Sequence, residues 1–264
     1  MHSNVFDRYQ HGHSLLHRLD ARVKVLVTVA YILSNVMLPD GAWLAFGLAC
    51  VFLVWCNWLS MLGPGFTFRR SFIVLPFAVV AVTAIFSIPG NPLATWHLGM
   101  LTLTPTDAGL LRFTSILVRS WLSVQMAILL VAVTQFPDII HALGHFHVPA
   151  IIVTIIAFLY RYLFVLTDEV MRLLRARQAR SAGTATSKAG GSIWWRAHIA
   201  GNMAGQLFLR SYERSNRIYD AMLSRGYTGQ LQTLHAQKIE TADWLVGATA
   251  ISALIVMQIA GRFP

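Results

Sequence analysis

The sequence predicts an all-α membrane protein with about five transmembrane helices and a cytoplasmic domain of long helices. Of its 264 residues, 56% are apolar and 12% are charged, and this charged fraction is about half that of soluble domains. The net charge is +10, which suits the anionic inner leaflet of a membrane because the basic residues lie beside apolar runs. We therefore expect the lipid bilayer, and no nucleic acid, as the surrounding partner.

Six apolar runs approach the roughly 20 residues that a membrane-spanning helix needs. They are Val23–Leu38, Ala42–Leu62, Ser71–Ile88, Ile116–Thr134, Ile151–Leu166 and Trp244–Ala260. The first run is short, but Arg22 and Lys24 can snorkel and extend it. No cleavage site for a signal peptide follows the polar start, so we expect the first span to be retained.

The distribution of Lys and Arg predicts the orientation of the spans. Basic residues occur before the first run and after the second, at Arg8, Arg18, Arg22, Lys24, Arg69 and Arg70. The turn Pro39–Gly41 has none, and Pro89–Ser115 has only Arg112. Because basic loops stay in the cytoplasm, the N-terminus is expected on the cytoplasmic side of the inner membrane of a prokaryote.

The fifth run is expected not to cross the membrane. The segment after it, Thr167–Asp243, carries the largest group of basic residues: Arg172, Arg175, Arg177, Arg180, Lys188, Arg196, Arg210, Arg214, Arg217, Arg225 and Lys238. A crossing at Ile151–Leu166 would move these charges away from the anionic leaflet. Five spans follow, and a sixth remains the alternative because long segments can evade the charge rule.

The predicted spans divide the chain into three regions. Residues 1–134 hold the N-terminal transmembrane helices, residues 135–243 a cytoplasmic domain of long helices, and residues 244–264 the C-terminal transmembrane helix.

Two long helices are predicted in the cytoplasmic region. With Pro149 at the first helical position, no Pro or Gly interrupts the chain up to Arg180, which gives a helix with an apolar first half and a basic second half. The small polar residues of Gly183–Ser192 indicate a linker. A second helix is expected from about Asn202 to Arg225, where Gly226 suits the position after a helix end.

Two motifs on these helices resemble a known family. Ala176-Arg-Gln-Ala-Arg-Ser181 resembles the first Ala-Arg-Gly-type motif of the T components of energy-coupling factor (ECF) transporters, and Ala221-Met-Leu-Ser-Arg-Gly-Tyr-Thr-Gly229 resembles the second. The string Leu16–Lys24, the Arg119 region and Tyr160-Arg-Tyr-Leu are also similar. Ser181 and Ser224 depart from the usual glycine and alanine. Leu16–Lys24 and Ser211–Tyr219 are most similar to the cobalt-transport branch, CbiQ.

The resemblance implies a transmembrane coupling subunit without catalytic activity of its own. Its partners would be two copies of a cytoplasmic ATP-binding subunit (CbiO-like), a substrate-binding membrane subunit (CbiM-like) and a small membrane subunit (CbiN-like). The residues expected to couple to the ATPases are Ala179, Arg180, Ser181, Ser224, Arg225 and Gly226. Cobalt is the expected ion, and nickel or a vitamin such as biotin remains open.

The sequence offers little else that carries chemistry. It has no phosphate-binding loop, because Gly190-Gly-Ser lacks the lysine and the spacing, and no cofactor is expected. His141, His145 and His147 have partial ligand spacing, but only Asp138 could complete a metal set. His11, His13 and His17 are judged in the same way.

Two residue groups have ordinary structural interpretations. Arg112 and Arg119 share a helix face near span ends, so either a functional role or snorkelling fits them. Asp168 and Glu169 are expected to form local pairs with Arg172.

Two other functions are less consistent with the sequence. A stand-alone secondary transporter would be expected to carry intramembrane carboxylates, which the firm spans lack. An intramembrane enzyme using the histidines would need them within those spans.

Overall fold

The computed structural model describes residues 9–10, 12, 14–91, 96–98, 101–103, 105–180, 192–229 and 240–262. In chain order its helices are α1 (Leu15–Arg18), α2 (Ala21–Met37), α3 (Trp43–Ser60), α4 (Pro64–Arg70), α5 (Leu75–Ala81), α6 (Thr83–Ser87), α7 (Asp107–Val133), α8 (Phe136–His145), α9 (Ala150–Arg180), α10 (Ile193–Leu223) and α11 (Thr241–Arg262). A 3-10 helix, Ser71–Val74, joins α4 to α5. Strands β1 (Trp96–Leu98) and β2 (Leu101–Leu103) form a short antiparallel hairpin that the sequence did not predict. The predicted all-α membrane class is confirmed.

The described residues form two compact units. The core unit comprises those within Phe6–Ala142 and Ala236–Pro264, and the arm unit comprises those within Leu143–His235.

Five helical segments are long and apolar enough to cross a membrane: Trp43–Ser60, Gly65–Ser87, Asp107–Val133, Ala150–Arg180 and Thr241–Arg262. The number agrees with the prediction, but the set differs because it contains α9 and omits α2, which has 17 residues. Length and composition do not test whether α9 crosses, so its exclusion from the spans stays a prediction.

The third predicted span is broken into several helical pieces. Gly65–Ser87 passes through all of α4 except its first residue, then the 3-10 helix, α5 and α6. Pro76 lies in the first turn of α5, where its lack of an N–H interrupts the regular hydrogen-bond ladder. The apolar pattern therefore predicted the segment but not the breaks within it.

Helices α2 and α11 run in the same direction. Near their N-terminal ends, Oδ1 of Asp243 accepts a hydrogen bond of 3.1 Å from the backbone N–H of Asp20. Near their C-terminal ends, Nε2 of Gln258 donates to Oγ of Ser34 over 2.8 Å. Because the two N-terminal ends contact each other and the two C-terminal ends contact each other, α2 and α11 are parallel.

Helix α7 runs opposite to α2. Nζ of Lys24, at the start of α2, donates to the carbonyl oxygen of Val133 at the end of α7 (3.4 Å). Nη2 of Arg119, in the first half of α7, donates to the carbonyl oxygen of Leu38 just after α2 (2.6 Å). The ammonium of Lys24 also suits the negative end of the α7 dipole.

The segment Gly65–Ser87 runs opposite to α7 and therefore parallel to α2. Nε1 of Trp121 donates to Oγ of Ser71 over 2.9 Å. The N–H of Thr106, before α7, bonds to the carbonyl of Ile85 near the end of α6. Helix α3 follows α2 through a short turn and returns beside it, since Oη of Tyr31 bonds to the carbonyl of Ala49. The directions thus alternate from α2 to α7.

A buried apolar core holds these helices together. Tyr31 and Leu122 are almost completely buried, and residues from α2, α3, α7 and α11 form one cluster with them. Cys50 and Cys56 are free thiols, partly buried and buried respectively. Exposed apolar side chains on α3 and α11, such as Trp58 and Ile255, suit a lipid environment.

Candidate coupling interface

Helix α9 is the long uninterrupted helix that the sequence predicts. The carbonyl oxygen of Pro149 accepts from the N–H groups of Ile152 (2.9 Å) and Val153 (3.3 Å), so the helix starts directly after the proline, one residue later than predicted. At 1.5 Å per residue its 31 residues extend over roughly 46 Å. A continuous hydrogen-bonded helix of this length can transmit displacement along its axis.

The C-terminal end of α9 carries two of the predicted coupling residues. Ala179 and Arg180 form the last positions of the helix, and both are exposed. The guanidinium of Arg180 is well placed for the negative end of the helix dipole and has up to five donors to offer a partner. Ser181, the third member of this motif, lies outside the described residues.

Helix α10 starts earlier than predicted. It begins at Ile193 and not near Asn202, because the hydroxyl of Ser192 accepts from the N–H of Trp195 and caps the first turn. Trp194 therefore lies in the first turn of α10, and it is exposed. The predicted linker Gly183–Ser192 lies outside the described residues except for this capping serine.

The end of α10 has the geometry expected from Gly226. The N–H of Tyr227 bonds to the carbonyl of Met222 and that of Gly226 to the carbonyl of Leu223, each at 3.0 Å. This pair is a Schellman motif, in which the residue after the helix takes a left-handed conformation. Gly226 has φ of +79°, so any side chain there would strain the turn.

The other two residues of this end occupy the final turn. Ser224 donates its hydroxyl to the carbonyl of Ala221 over 3.0 Å, which satisfies it within the helix end. Arg225 follows, is exposed, and precedes the left-handed glycine. Small neighbours and a sharp turn leave its guanidinium accessible to another protein.

An ion pair joins α9 to α10. Oε1 of Glu169 accepts from Nη1 of Arg210 over 2.7 Å, and Oε2 accepts from Arg172. The local pair with Arg172 was predicted, but the longer-range partner was not. These two hydrogen bonds, from Arg210 first and then Arg172, lower the pKa of Glu169 below its ordinary value.

An apolar groove of ≈ 800 Å³ separates the rest of the two helices. Its walls are the first half of α9, with Ile151 and Phe158, and the second half of α10, with Ile218 and Met222. The N-terminal half of α9 therefore faces the C-terminal half of α10, so the helices run in opposite directions. Arg180 and Arg225 consequently lie at opposite ends of the pair.

Asp40 binds both arginines of α7. Oδ1 of Asp40 lies 2.7 Å from Nη2 of Arg119, and Oδ2 lies 3.8 Å from Nε of Arg112. The two interpretations from sequence, a functional role or snorkelling, both overlooked this carboxylate. Asp40 is the acidic residue in the short turn between α2 and α3. Its place at a span end was the one feature of the sequence that could have indicated a partner for these arginines.

The histidines do not assemble a metal site among the described residues, which contain no group of three or more His, Cys, Asp or Glu suited to an ion. Burial raises the pKa of Asp138, the carboxylate that could have completed a set, and so disfavours its charged form. His17 bonds instead to Ser14 and to the carbonyl of Gln10. His11 and His13 lie outside the described residues.

Comparison with known proteins decides the family. The family model described as cobalt transport protein, CbiQ, matches residues 12–235. The chain belongs to this family. It is therefore a T component of the ECF transporter class, as the two motifs predicted, and a multi-pass membrane protein.

Individual relatives agree with this assignment. The chain is 26% identical to the energy-coupling factor transporter transmembrane protein EcfT of Lacticaseibacillus paracasei, over 85% of each chain. It is 26% identical to the cobalt transport protein CbiQ of Salmonella typhimurium, over 83% of this chain and 96% of the relative. An uncharacterised protein of Methanocaldococcus jannaschii is 25% identical over 97% of this chain and 87% of the relative. The two motifs on α9 and α10 lie within the matched region.

Proposed function

We propose that this T component couples two cytoplasmic ATPases to a substrate-binding membrane subunit and so drives the uptake of cobalt. The observation that carries the proposal is the pair of exposed arginine-tipped helix ends, at Arg180 and Arg225, on two helices that run in opposite directions. The partners are two CbiO-like ATP-binding subunits, a CbiM-like substrate-binding subunit and a small CbiN-like subunit. The chain itself catalyses no reaction.

The spacing of the two ends suits two separate partners. At 1.5 Å per residue, Arg180 lies about 16 Å along α9 from Glu169. Arg225 lies about 22 Å along α10 from Arg210. Because these directions are opposite, the tips are separated by up to roughly 40 Å, which exceeds the diameter of a small domain. Each tip can therefore engage its own ATPase.

The course of the core helices supports a cytoplasmic arm. Between α2 and α11, the segments α3, Gly65–Ser87 and α7 alternate in direction, and α11 returns to the direction of α2. If α9 also crossed the membrane, α11 would start on the opposite side and run antiparallel to α2. Their parallel course thus favours α9 outside the bilayer and residues 135–243 as a cytoplasmic coupling domain between the transmembrane regions 1–134 and 244–264.

The orientation follows from charge. With α9 excluded, the basic N-terminal segment and the basic arm lie on one side of the membrane, and the positive-inside rule makes this side cytoplasmic. The proposed location is the inner membrane of a prokaryote, with a cytoplasmic N-terminus.

Of the six proposed coupling residues, two would contact the ATPases directly and four would shape the surface around them. Arg180 and Arg225 supply guanidinium donors for acceptors on the ATPases, which form geometrically specific bonds. Ala179, Ser181 and Ser224 keep the surroundings small so that a partner surface can approach. Gly226 ends α10 sharply and directs the chain away from the contact.

Cobalt is the proposed ion because the family description and the Salmonella relative are both named for its transport. The direct test is uptake of labelled cobalt and labelled nickel by cells that express the complete transporter. Preferential accumulation of cobalt supports the proposal, and preferential accumulation of nickel contradicts the choice of ion.

The coupling role is tested by charge reversal at the two tips. Arg180→Glu and Arg225→Glu are each expected to abolish uptake and to reduce the ATPases that copurify in mild detergent from two per chain. Arg217→Glu is the matched control, because Arg217 is an exposed arginine on α10 that forms a local pair with Glu213. It is expected to keep both ATPases.

Normal transport by both tip variants would refute the assignment of these sites. If all subunits are expressed together and this chain purifies without bound ATPases, the coupling role itself is refuted.

A further inference from the structure

Helices α9 and α10 contact each other with almost no buried packing. Of all the residues in these two helices, every one of which the structure describes, only Thr154 is buried. Their facing apolar surfaces are separated along much of their length by the open groove. Interdigitated side chains normally fix the crossing angle of a helix pair, so another contact must contribute to that angle here.

Glu169 is placed to supply this contact. Its side chain is 12% exposed, whereas Arg210 is 57% exposed. One carboxylate oxygen accepts from Arg210 of α10 while the other accepts from Arg172, one turn further along α9. The carboxylate is thus held on its own helix by one arginine and binds the second helix through the other, which restricts its rotamer and gives the cross-helix bond a fixed direction.

We infer that Glu169 is the positioning residue that sets the angle between the two coupling helices, through its bond to Arg210. The inference rests on the proposed function, in which Arg180 and Arg225 engage two ATPases. Since both tips project from this contact in opposite directions, a small rotation about it displaces each tip by an amount that grows with its distance along the helix. Glu169 itself touches no ATPase in this account.

A polar contact suits this position better than a packed one. An exposed ion pair breaks and reforms at low cost, whereas a close-packed apolar contact resists rearrangement. The ion pair can therefore hold the angle between α9 and α10 while the ATPases are apart. It can then break and allow the angle to change when the ATPases close. Its loss is expected to separate ATP hydrolysis from transport without removing the ATPases.

The chain offers a matched control for charge and location. Glu213 and Arg217 form an ion pair within α10, with side chains 69% and 70% exposed and 3.9 Å between the closest charged atoms. Glu213→Gln removes the same charge from the same unit but leaves the contact between α9 and α10 intact.

The test uses the complete transporter with Glu169→Gln, Arg210→Glu and the exchanged pair Glu169→Arg with Arg210→Glu. For each single variant we expect both ATPases to remain bound while the ions transported per ATP hydrolysed fall by roughly five-fold or more. The exchanged pair is expected to recover much of the coupling, because it restores opposite charges across the helices. Glu213→Gln is expected to behave as the unmodified protein.

A second measurement follows the angle directly. Spin labels at positions 179 and 224 of the isolated chain are expected to give one narrow distance distribution, which broadens in Glu169→Gln and narrows again in the exchanged pair. This readout needs no ATPase, so it separates failure of the inference from failure of the proposed function.

Two results would overturn the inference. One is an unchanged distance distribution in Glu169→Gln. The other is a loss of coupling in the single variants that the exchanged pair does not recover, since that outcome assigns Glu169 a role independent of Arg210.

Discussion

The core unit and the arm unit differ in how far their side chains are buried and in the contacts that join their helices. In the core, residues such as Tyr31 and Leu122 are nearly completely buried, and four helices share one apolar cluster. In the arm, two longer helices leave almost every side chain accessible and meet through an ion pair beside an open groove. Burial of apolar surface is the main source of stability, so it contributes far more to the core unit than to the arm unit.

The glycines make this contrast testable, and the largest effect is expected in the core. Gly109 of α7 lies against α6, where an added Cβ would come within 2.6 Å of the carbonyl oxygen of Ile85 and 2.9 Å of that of Ala84. Backbone atoms cannot move aside as a flexible side chain does, so Gly109→Ala is expected to lower the free energy of unfolding by about 1–3 kcal/mol. Denaturation of the purified chain in mixed micelles measures this change.

Gly47 of α3 is the control for that substitution, because an added Cβ meets nothing within 4 Å. A loss of stability in Gly47→Ala as large as that in Gly109→Ala would show that close packing at α6 and α7 is not the cause.

A smaller effect of opposite sign is expected in the arm. Gly205 lies within α10, and an added Cβ there also meets nothing within 4 Å. Because alanine is favoured over glycine inside a helix by about 0.8–1 kcal/mol, Gly205→Ala is expected to slow hydrogen exchange across α10. Faster exchange would mean that this face is already occupied by a close contact.

The smallest effect is a response of the arm to pH. Glu169 has a pKa below its ordinary value of 4.5 in the folded chain, chiefly because of its bond to Arg210. A carboxylate with a lowered pKa stabilises the folded state above its unfolded pKa, and this contribution disappears as the pH falls through the folded value. The distance distribution between labels at 179 and 224 should therefore be constant from neutral pH down to the ordinary pKa of 4.5 and broaden only below it.

In Glu169→Gln, which lacks the titrating group, the distribution is expected to be broad at neutral pH and to change no further as the pH falls. Equal responses in the two proteins would assign the pH effect to another residue.

The sequence predicted those features that depend on neighbouring residues. Pro149 located the start of α9, and Gly226 located the end of α10, since proline at a first turn and glycine after a last turn act through local backbone geometry. The apolar runs located α2, α3, α7 and α11, because a span is recognised by its length and composition. The two coupling motifs were found because they combine such local signals with a recognisable order of residues.

Features that depend on distant residues were missed. Arg210 lies 41 positions from Glu169, and Asp40 lies 79 positions from Arg119, so neither pairing has a periodicity that a single sequence displays. The start of α10 was wrong for a different reason. Gly201 and Gly205 weaken the helical pattern, whereas the cap by Ser192 that starts the helix is a single hydrogen bond.

If the arm is cytoplasmic and binds the ATPases through its two helix ends, those ends can be labelled only from the cytoplasmic side of the membrane. Cys50 and Cys56 are replaced, and one cysteine is introduced at Ala179 or Ser224, both exposed positions. The account predicts that a membrane-impermeant maleimide labels either cysteine in inside-out vesicles only, and that bound ATPases protect both. Labelling of either position from outside in intact cells would contradict it.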